Sequence, residues 1–332
     1  MKIGDLGEFP FLHRLRDRLP NDPRVQLGVG DDCAALSLSG ITVLTTDAMI
    51  EGVHFRREWT SFPVLGEKAF AVNASDVAAM GGEPTFALLS LGVPQDYAVA
   101  DLDAFFDGFL DAAGANATAL VGGNMSAAPV FMISVSLLGR TLHEPITRSG
   151  AHVGDDVYVT GTVGDAALGL RLLRGAKAGS LEDAAIQQVK QRFLCPTARV
   201  SVGREIAARQ LATAMIDVSD GLLQDLGHLC TASRVGAVIE AAALPLSNGY
   251  RTLLGADDWK LALTGGEDYE LLFSAPVAAR PEISEVVPKS DCPITRIGSL
   301  TPQAAGVRVK LAEGMRPATE FIGFDHFARK LS

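Results

Sequence analysis

A two-domain α/β architecture, α+β in its first half and with a mixed sheet in each half, follows from three features of the sequence. Strand-like and helix-like segments alternate along most of the chain. Its 332 residues fit two domains at roughly 150 residues each. A composition that is 48% hydrophobic and 20% charged can fill a sizeable core in each.

In the first half, a glycine turn at Gly28 leads into Ala34-Ala35-Leu36-Ser37-Leu38 and then Ile41-Thr42-Val43-Leu44-Thr45-Thr46. With Ser39-Gly40 between them, these runs predict a two-stranded hairpin. Residues 67–80 space Ala69, Phe70, Val72, Val77 and Ala78 as the apolar face of a helix that stops at Gly81-Gly82, ahead of Pro84. A strand over 87–93, an amphipathic helix over 102–113, a buried strand over 117–121 running into Gly122-Gly123-Asn124, and a strand over 131–138 complete one mixed sheet with its helices. A boundary is expected between Pro145 and Gly154, giving domains 1–145 and 146–332. The second half reads as strand 156–161, helices 166–175, 181–194 and 198–210, strand 213–216, helix 222–233 and strand 236–240.

The 39 acidic residues outnumber 29 basic ones, for a net charge of -10. No basic stripe interrupts that excess, which disfavours a nucleic-acid partner. No apolar run approaches the ~20 residues that span a bilayer, and Met1-Lys2-Ile3-Gly4-Asp5 lacks a signal-peptide core. A cytoplasmic protein without a membrane partner is therefore expected. Cys33, Cys195, Cys230 and Cys292 form no CxxC pair, which argues against a zinc knuckle or a redox dithiol and for reduced, mostly buried thiols.

The informative pattern is where the acids fall. Asp31 and Asp32 follow Gly28-Val29-Gly30; Asp47 ends the strand 42–46; Asp76 sits in Asn73-Ala74-Ser75-Asp76; Asp217 and Asp220 bracket Val218-Ser219 ahead of Gly221; Glu267 and Asp268 follow Gly265-Gly266. Any one such turn is most simply an Asx-turn or a cap. Carboxylates repeated at strand ends are costly unless they meet a cation, and oxygen donors without histidine or cysteine partners suit Mg²⁺ bridged to phosphates. These turns are expected to converge in space. The P-loop GxxxxGK[ST], the dinucleotide GxGxxG and the HRD and DFG kinase signatures are all absent. Gly122-Gly123-Asn124 would let backbone N–H groups approach a nucleotide phosphate, although a plain turn fits it equally well. Arg148 is either a phosphate contact or a solvated loop arginine. His54 near apolar neighbours is more often filler than catalyst, and Lys68 more often solvated than in a cleft with Asn73.

Taken together, several segments resemble the thiamine-monophosphate kinases, a family within the aminoimidazole ribonucleotide synthetase-like ATP-binding superfamily. They are Gly28-Val29-Gly30-Asp31-Asp32, Thr45-Thr46-Asp47, Gly52-Val53-His54-Phe55, Lys68 through Gly81, Arg148-Ser149-Gly150, Asp217-Val218-Ser219-Asp220-Gly221 and Gly265-Gly266-Glu267-Asp268-Tyr269-Glu270. The resemblance implies ATP-dependent, Mg²⁺-dependent phosphorylation of thiamine monophosphate to thiamine diphosphate by direct in-line transfer. It implies catalytic roles at Asp47, Asp76 and Asp220, and Mg²⁺ ligands at Asp31, Asp32, Thr46, Asp47, Asp76, Asp217 and Asp220. Nucleotide contacts fall to Gly122, Gly123, Arg148 and Ser219, and substrate contacts to His54, Glu267 and Phe324. It also implies a homodimer joined through the N-terminal sheet, with ATP between the domains. Asn124 stands where the family usually carries aspartate, so an uncharged amide replaces one metal ligand and nucleotide contact. The alternatives are a ribonucleotide ring-forming synthetase of the same superfamily, or a non-catalytic nucleotide- or metal-binding homologue.

Overall fold

Residues of alternating burial and of helical spacing organise a computed structural model that describes residues 1–6, 8–27, 34–36, 38–176, 183–290 and 292–321. The chain divides into two units, Met1–Val77 with Gly82–His143, and Ala78–Gly81 with Glu144–Ser332. No helix among the described residues is long and apolar enough to cross a membrane.

The first unit runs α1 (Ile3–Leu6), α2 (Glu8–Arg16), β1 (Val25–Leu27), β2 (Ala35–Leu36), β3 (Ile41–Ile50), α3 (Phe62–Ala79), β4 (Glu83–Val93), α4 (Val99–Ala115), β5 (Ala119–Ala127) and β6 (Met132–Thr141). Strands β3-β6-β4-β5 form one mixed sheet, with β4 and β5 parallel and the other neighbours antiparallel. Along β6, Ile133, Val135 and Leu137 are buried, whereas the alternate positions are more open. That is the period-two signature of a sheet packed on one face. Helix α4 buries Val99, Leu102, Phe105, Phe106, Phe109 and Ala113, spaced three and four apart as an inward stripe. Its Phe109 meets Phe70 of α3 edge to face, ring centroids 5.9 Å apart. Glycines let these helices touch: a Cβ on Gly108 would lie 1.9 Å from the Pro63 carbonyl oxygen.

Two expectations are corrected here. The hairpin between 34–38 and 41–46 does not form; β2 pairs with β1 in a separate two-stranded sheet, and β3 pairs with β6 from Ile41↔Thr141 to Ile50↔Met132. A ten-residue ladder satisfies far more backbone groups than the two residues of β2 offer. Nor do Gly122-Gly123-Asn124 make a turn. They continue β5, opposite Leu88, Leu89 and Ser90, after a register shift between Ala87 and Leu88, because β4 still presents unpaired partners there.

The second unit contains β7 (Asp156–Thr160), α5 (Asp165–Leu173), α6 (Asp183–Leu194), α7 (Val200–Ala208), β8 (Ala214–Asp217), α8 (Leu222–Ser233), β9 (Val235–Glu240), α9 (Asn248–Leu254), α10 (Lys260–Thr264), β10 (Leu271–Ala275), α11 (Arg280–Ser290), β11 (Ile294–Pro302), β12 (Val307–Leu311) and β13 (Gly314–Pro317). The sheet order is β13-β12-β9-β11-β7-β10-β8. Adjacent residues of β7, β8 and β10 feed opposite cores: Val157, Val159, Ile216 and Leu272 join one cluster, Tyr158, Met215, Leu271 and Phe273 the other. Both faces of this sheet are therefore covered, which explains why β7, β8 and β10 are buried at every position.

Candidate active site

In the first unit the site begins at β3. Pairing places Asp47 opposite Val135 and Thr45 opposite Leu137, both on the packed face of the sheet. Helix α3 meets them there. The Asp47 backbone N–H donates to Asn73 Oδ1 at 2.9 Å, and Asn73 Nδ2 donates to the Ala69 carbonyl at 3.1 Å. Asn73 is buried, so both ends of its amide are spoken for. Thr45 Oγ1 donates to Asp76 Oδ2 at 2.5 Å, a short bond of the kind a charged acceptor gives. Thus Asp47, exposed, and Asp76, half-buried, are tied into one cluster of oxygen donors.

Other predicted residues of this unit lie elsewhere. Thr46 projects from the opposite face, where its Oγ1 donates to the Val135 carbonyl at 2.9 Å and accepts from Ser136 Oγ at 3.3 Å. Asn124 lies in the row Asn124–Ser90–Ser134–Ala48, on the face of Thr46. Three strand spacings separate it from β3, about 14 Å, and its Nδ2 donates to Ser126 Oγ at 3.2 Å. Gly123 shares a row with Leu89, Val135 and Asp47, and Gly122 packs against Leu88. His54 sits in the turn after β3, where Nδ1 accepts the Ile50 N–H at 3.0 Å. A neutral ring so held carries its proton on Nε2. Glu51 braces that turn, accepting from Tyr97 Oη at 2.7 Å and Arg57 Nε at 2.9 Å. Lys68, expected in solvent, is buried at 3% exposure, because its place on α3 falls on the packed side.

In the second unit, β8 ends at buried Asp217 and the chain passes through Val218, Ser219, Asp220 and Gly221 into α8. The segment is clamped by 267–270: Glu267 N–H donates to the Ser219 carbonyl at 2.8 Å, Tyr269 N–H to Val218 O at 2.9 Å, and Val218 N–H to Glu270 O at 2.8 Å. A Cβ on Gly266 would stand 2.3 Å from Ser219 O, so only glycine permits this contact. Glu267 (φ 72°) and Tyr269 (φ 52°) both adopt left-handed backbone, a strain of order 1–3 kcal/mol each that concentrates at functional sites. Tyr269 Oη donates to Glu267 Oε1 at 3.3 Å.

Asp225, buried on the first turn of α8, reaches back so that its Oδ2 accepts the N–H groups of Ser219, Asp220 and Gly221, each at 3.1 Å. Burial, with the Asp220 charge beside it, pushes its carboxyl up to about 7. Half-buried Asp220 accepts from Gln224 Nε2 at 3.3 Å, and Asp220, Asp225 and His228 each offer an atom within 4.8 Å of the others. The Thr147 carbonyl accepts from Met215 N–H of β8 at 3.0 Å, which sets exposed Arg148 beside that strand. Asp268 differs in character from its neighbours. Fully buried, it accepts from Gly164 and Ala166 N–H at 2.6 and 3.2 Å and so caps α5; burial pushes it up to about 8 against those two donors. Glu270 is likewise internal, paired with Arg192 and Arg199 and accepting from Thr160 Oγ1. Asp31, Asp32 and Phe324 lie outside the described residues.

The sequence reading missed Thr45 and Asp225. A helical count gave a signal for both: Asn73 and Asp76 lie one turn apart on the side of α3 that meets β3, and Asp225 stands four residues beyond Gly221, within reach of the chain that enters the helix. The donors at Asp47 and Asp76 are hard oxygens, which suit Mg²⁺; in the second unit Asp217 and Asp220 are of the same kind, while Asp225 is committed to backbone and the His228 imidazole is a poor magnesium ligand.

Residues 30–141 match the AIR synthase related protein N-terminal domain, and residues 152–310 its C-terminal domain. The thiamine-monophosphate kinase of Escherichia coli strain K12 is 37% identical over 328 residues, 97% of this chain and 98% of its own length. The crystal structure of thiamine-monophosphate kinase from Stenotrophomonas maltophilia K279a superposes with a TM-score of 0.82 at 38% identity, covering 91% of this chain and 96% of that one. AaThiL complexed with AMPPCP and TMP gives a TM-score of 0.74 at 36% identity over 98% and 99% of the two chains. The chain therefore belongs to the thiamine-monophosphate kinase family of enzymes, within the AIR synthase related proteins.

Proposed function

We propose that this chain transfers the γ-phosphoryl group of ATP to thiamine monophosphate, giving thiamine diphosphate and ADP, with Mg²⁺ required. The observation that carries the reading is the end-to-end likeness to a kinase solved with an ATP analogue and TMP. The oxygen donors at Asp47 and Asp76, and those of Asp217 and Asp220 three residues apart where the chain leaves β8, support it independently. The acceptor is a phosphate already ionised near neutral pH, so no strong general base is needed, and positioning with charge neutralisation supplies most of the rate. A phosphate oxygen of thiamine monophosphate attacks Pγ; the bond from Pγ to the bridging oxygen breaks, and ADP departs with the electron pair. Magnesium, when bound, neutralises the facing phosphates.

The chain's own residues hold the reactants. Asp47, Asp76, Asp217 and Asp220, with the N-terminal Asp31 and Asp32, serve as ligands; Asn73 and Thr45 fix Asp47 and Asp76. Thr46 and Asn124 face the other side of the sheet from Asp47, so any role they take in ligation belongs to that face. Gly122, Gly123, Arg148 and Ser219 contact nucleotide. His54, as an Nε2–H donor, contacts substrate with Glu267 and Phe324. Residues 1–145 are assigned ATP and metal binding and 146–332 the second α/β domain. The open face of the N-terminal sheet exposes Leu44, Leu88 and Met132, which supports a homodimer through that face. We place the protein in the cytoplasm.

The test is ADP release from ATP and Mg²⁺ across a panel of phosphorylated metabolites. Release that depends on thiamine monophosphate is expected; release with ribonucleotides alone refutes the assignment. A phosphoenzyme formed before acceptor is added refutes direct transfer. Asp47→Asn and Asp76→Asn are expected to abolish activity with an unchanged circular dichroism spectrum, and a loss smaller than about 100-fold with unchanged Mg²⁺ dependence removes them as ligands.

A further inference from the structure

We infer that Asp225 is a positioning residue, whose carboxylate sets Ser219 and Asp220 in the geometry that nucleotide and divalent cation require. This rests on the kinase reading for what those two residues contact. An ordinary N-cap comes from the residue before a helix and satisfies the helix's own first N–H groups. Asp225 does the reverse: it belongs to the helix and reaches back to N–H groups that precede it, those of Ser219, Asp220 and Gly221. One oxygen accepts all three, so the peptide planes on either side of Asp220 must point inward together. Their carbonyls are thereby turned away from the Asp225 carboxylate, while the Asp220 side chain stays beside α8, where it accepts from Gln224 Nε2 at 3.3 Å.

The other side of the same segment is fixed by the clamp from Glu267 and Tyr269, which also holds strained backbone at both residues. Asp220 thus sits between two anchors, with little freedom except in its side chain. Burying a carboxylate at 3% exposure beside another carboxylate is unfavourable for the fold, and an apolar residue would serve α8 better. The arrangement makes sense if loop geometry is what the position supplies. His228 lies on the next turn but donates to none of the three acceptor bonds.

The experiment compares wild type with Asp225→Asn, Asp225→Glu and Asp225→Ala. Mn²⁺ binding is followed by electron paramagnetic resonance on free enzyme, restricted to the site that Asp220→Asn removes, and Mg²⁺ half-activation is measured alongside. Asparagine keeps an acceptor in place without charge; glutamate keeps the charge but moves the oxygens by one methylene. Expected are near wild-type binding for Asp225→Asn, and weakening of about 10- to 100-fold for Asp225→Glu and Asp225→Ala. Equal binding in all four proteins, or a Glu variant that binds like wild type while the Asn variant fails, overturns the inference. Should the Ala variant not fold, the Asn and Glu pair decides. Should wild type not act on thiamine monophosphate, the kinase reading fails, whereas the Mn²⁺ comparison still judges Asp225.

Discussion

Two glycines of α4 should respond to alanine in opposite directions. At Gly108 a Cβ would stand 1.9 Å from Pro63 O and 2.7 Å from Pro63 Cα, against a practical limit near 3.0 Å. The α3 entry must therefore retreat by about 1.1 Å, the difference of those two distances. Retreat is resisted, because on the α3 side Gly66 makes the reciprocal approach, a Cβ there lying 2.1 Å from Phe105 O, and Phe105 and Phe109 are fully buried. Overpacking of this kind costs about 1–3 kcal/mol or more, and the gain in helix propensity, about 1 kcal/mol at most, does not offset it. At Gly114, in the same helix, a Cβ meets nothing within 4 Å, so Gly114→Ala keeps only the gain, about 0.5–1 kcal/mol, reduced by its place in the last turn. With about 2–4 °C per kcal/mol, calorimetry should show Gly108→Ala melting several degrees below wild type and Gly114→Ala slightly above. A Gly108→Ala protein as stable as Gly114→Ala would refute the helix contact as described.

Thr45→Val keeps shape but removes the donor to Asp76; Mg²⁺ half-activation should rise about tenfold while denaturant stability falls by only about 1 kcal/mol, and an unchanged Mg²⁺ requirement would exclude Thr45 from fixing Asp76. Asp156 is held below the usual carboxylate range by Arg280 first and Arg296 second. A lowered native value means that its contribution is fully present above the unfolded pKa of about 3.9 and is lost as pH falls through the native value. Urea titrations between about pH 5 and 2 should therefore show a flatter acid limb for Asp156→Asn than for wild type, and parallel limbs would exclude the pair as a source of acid sensitivity.

Helices and strands with a clean period were legible: the helix expected over 222–233 is α8 to the residue, and the alternation of 131–138 marks β6. Pairing was less so. Nothing local told Ala35-Leu36 to choose Val25–Leu27 over the neighbouring strand, since the winning ladder for β3 lies some ninety residues on. Burial misled at Lys68, whose type says solvent but whose helical phase says core. For the site, residue type and turn context singled out Asp47, Asp76 and Asp220 as candidates. They could not distinguish Asp268, which has the same glycine-flanked look but caps α5, because a cap and a ligand demand the same local chemistry. Nor could they resolve Thr46 from Thr45: strand alternation assigns the two to opposite faces, but which face meets α3 depends on the register with β6.

Both units solve one problem in the same way. A carboxylate proposed as a cation ligand must stay accessible, yet the sheet edge at Asp47, inside β3, and the loop after β8 at Asp220 leave backbone N–H groups that need partners. In each unit the partner is a side chain from the helix that follows: Asn73 of α3 for the Asp47 N–H, Asp225 of α8 for the N–H groups around Asp220. The helix residue is buried in both cases and the aspartate it serves is more open. Because those N–H groups are held by a second residue, the aspartate need not cap its own backbone, which separates these stations from the Asx-turns that the sequence alone makes equally plausible. Replacing the buried partner should therefore degrade cation binding even where the ligand itself is untouched, and Asn73 and Asp225 are where that follows most directly from the geometry.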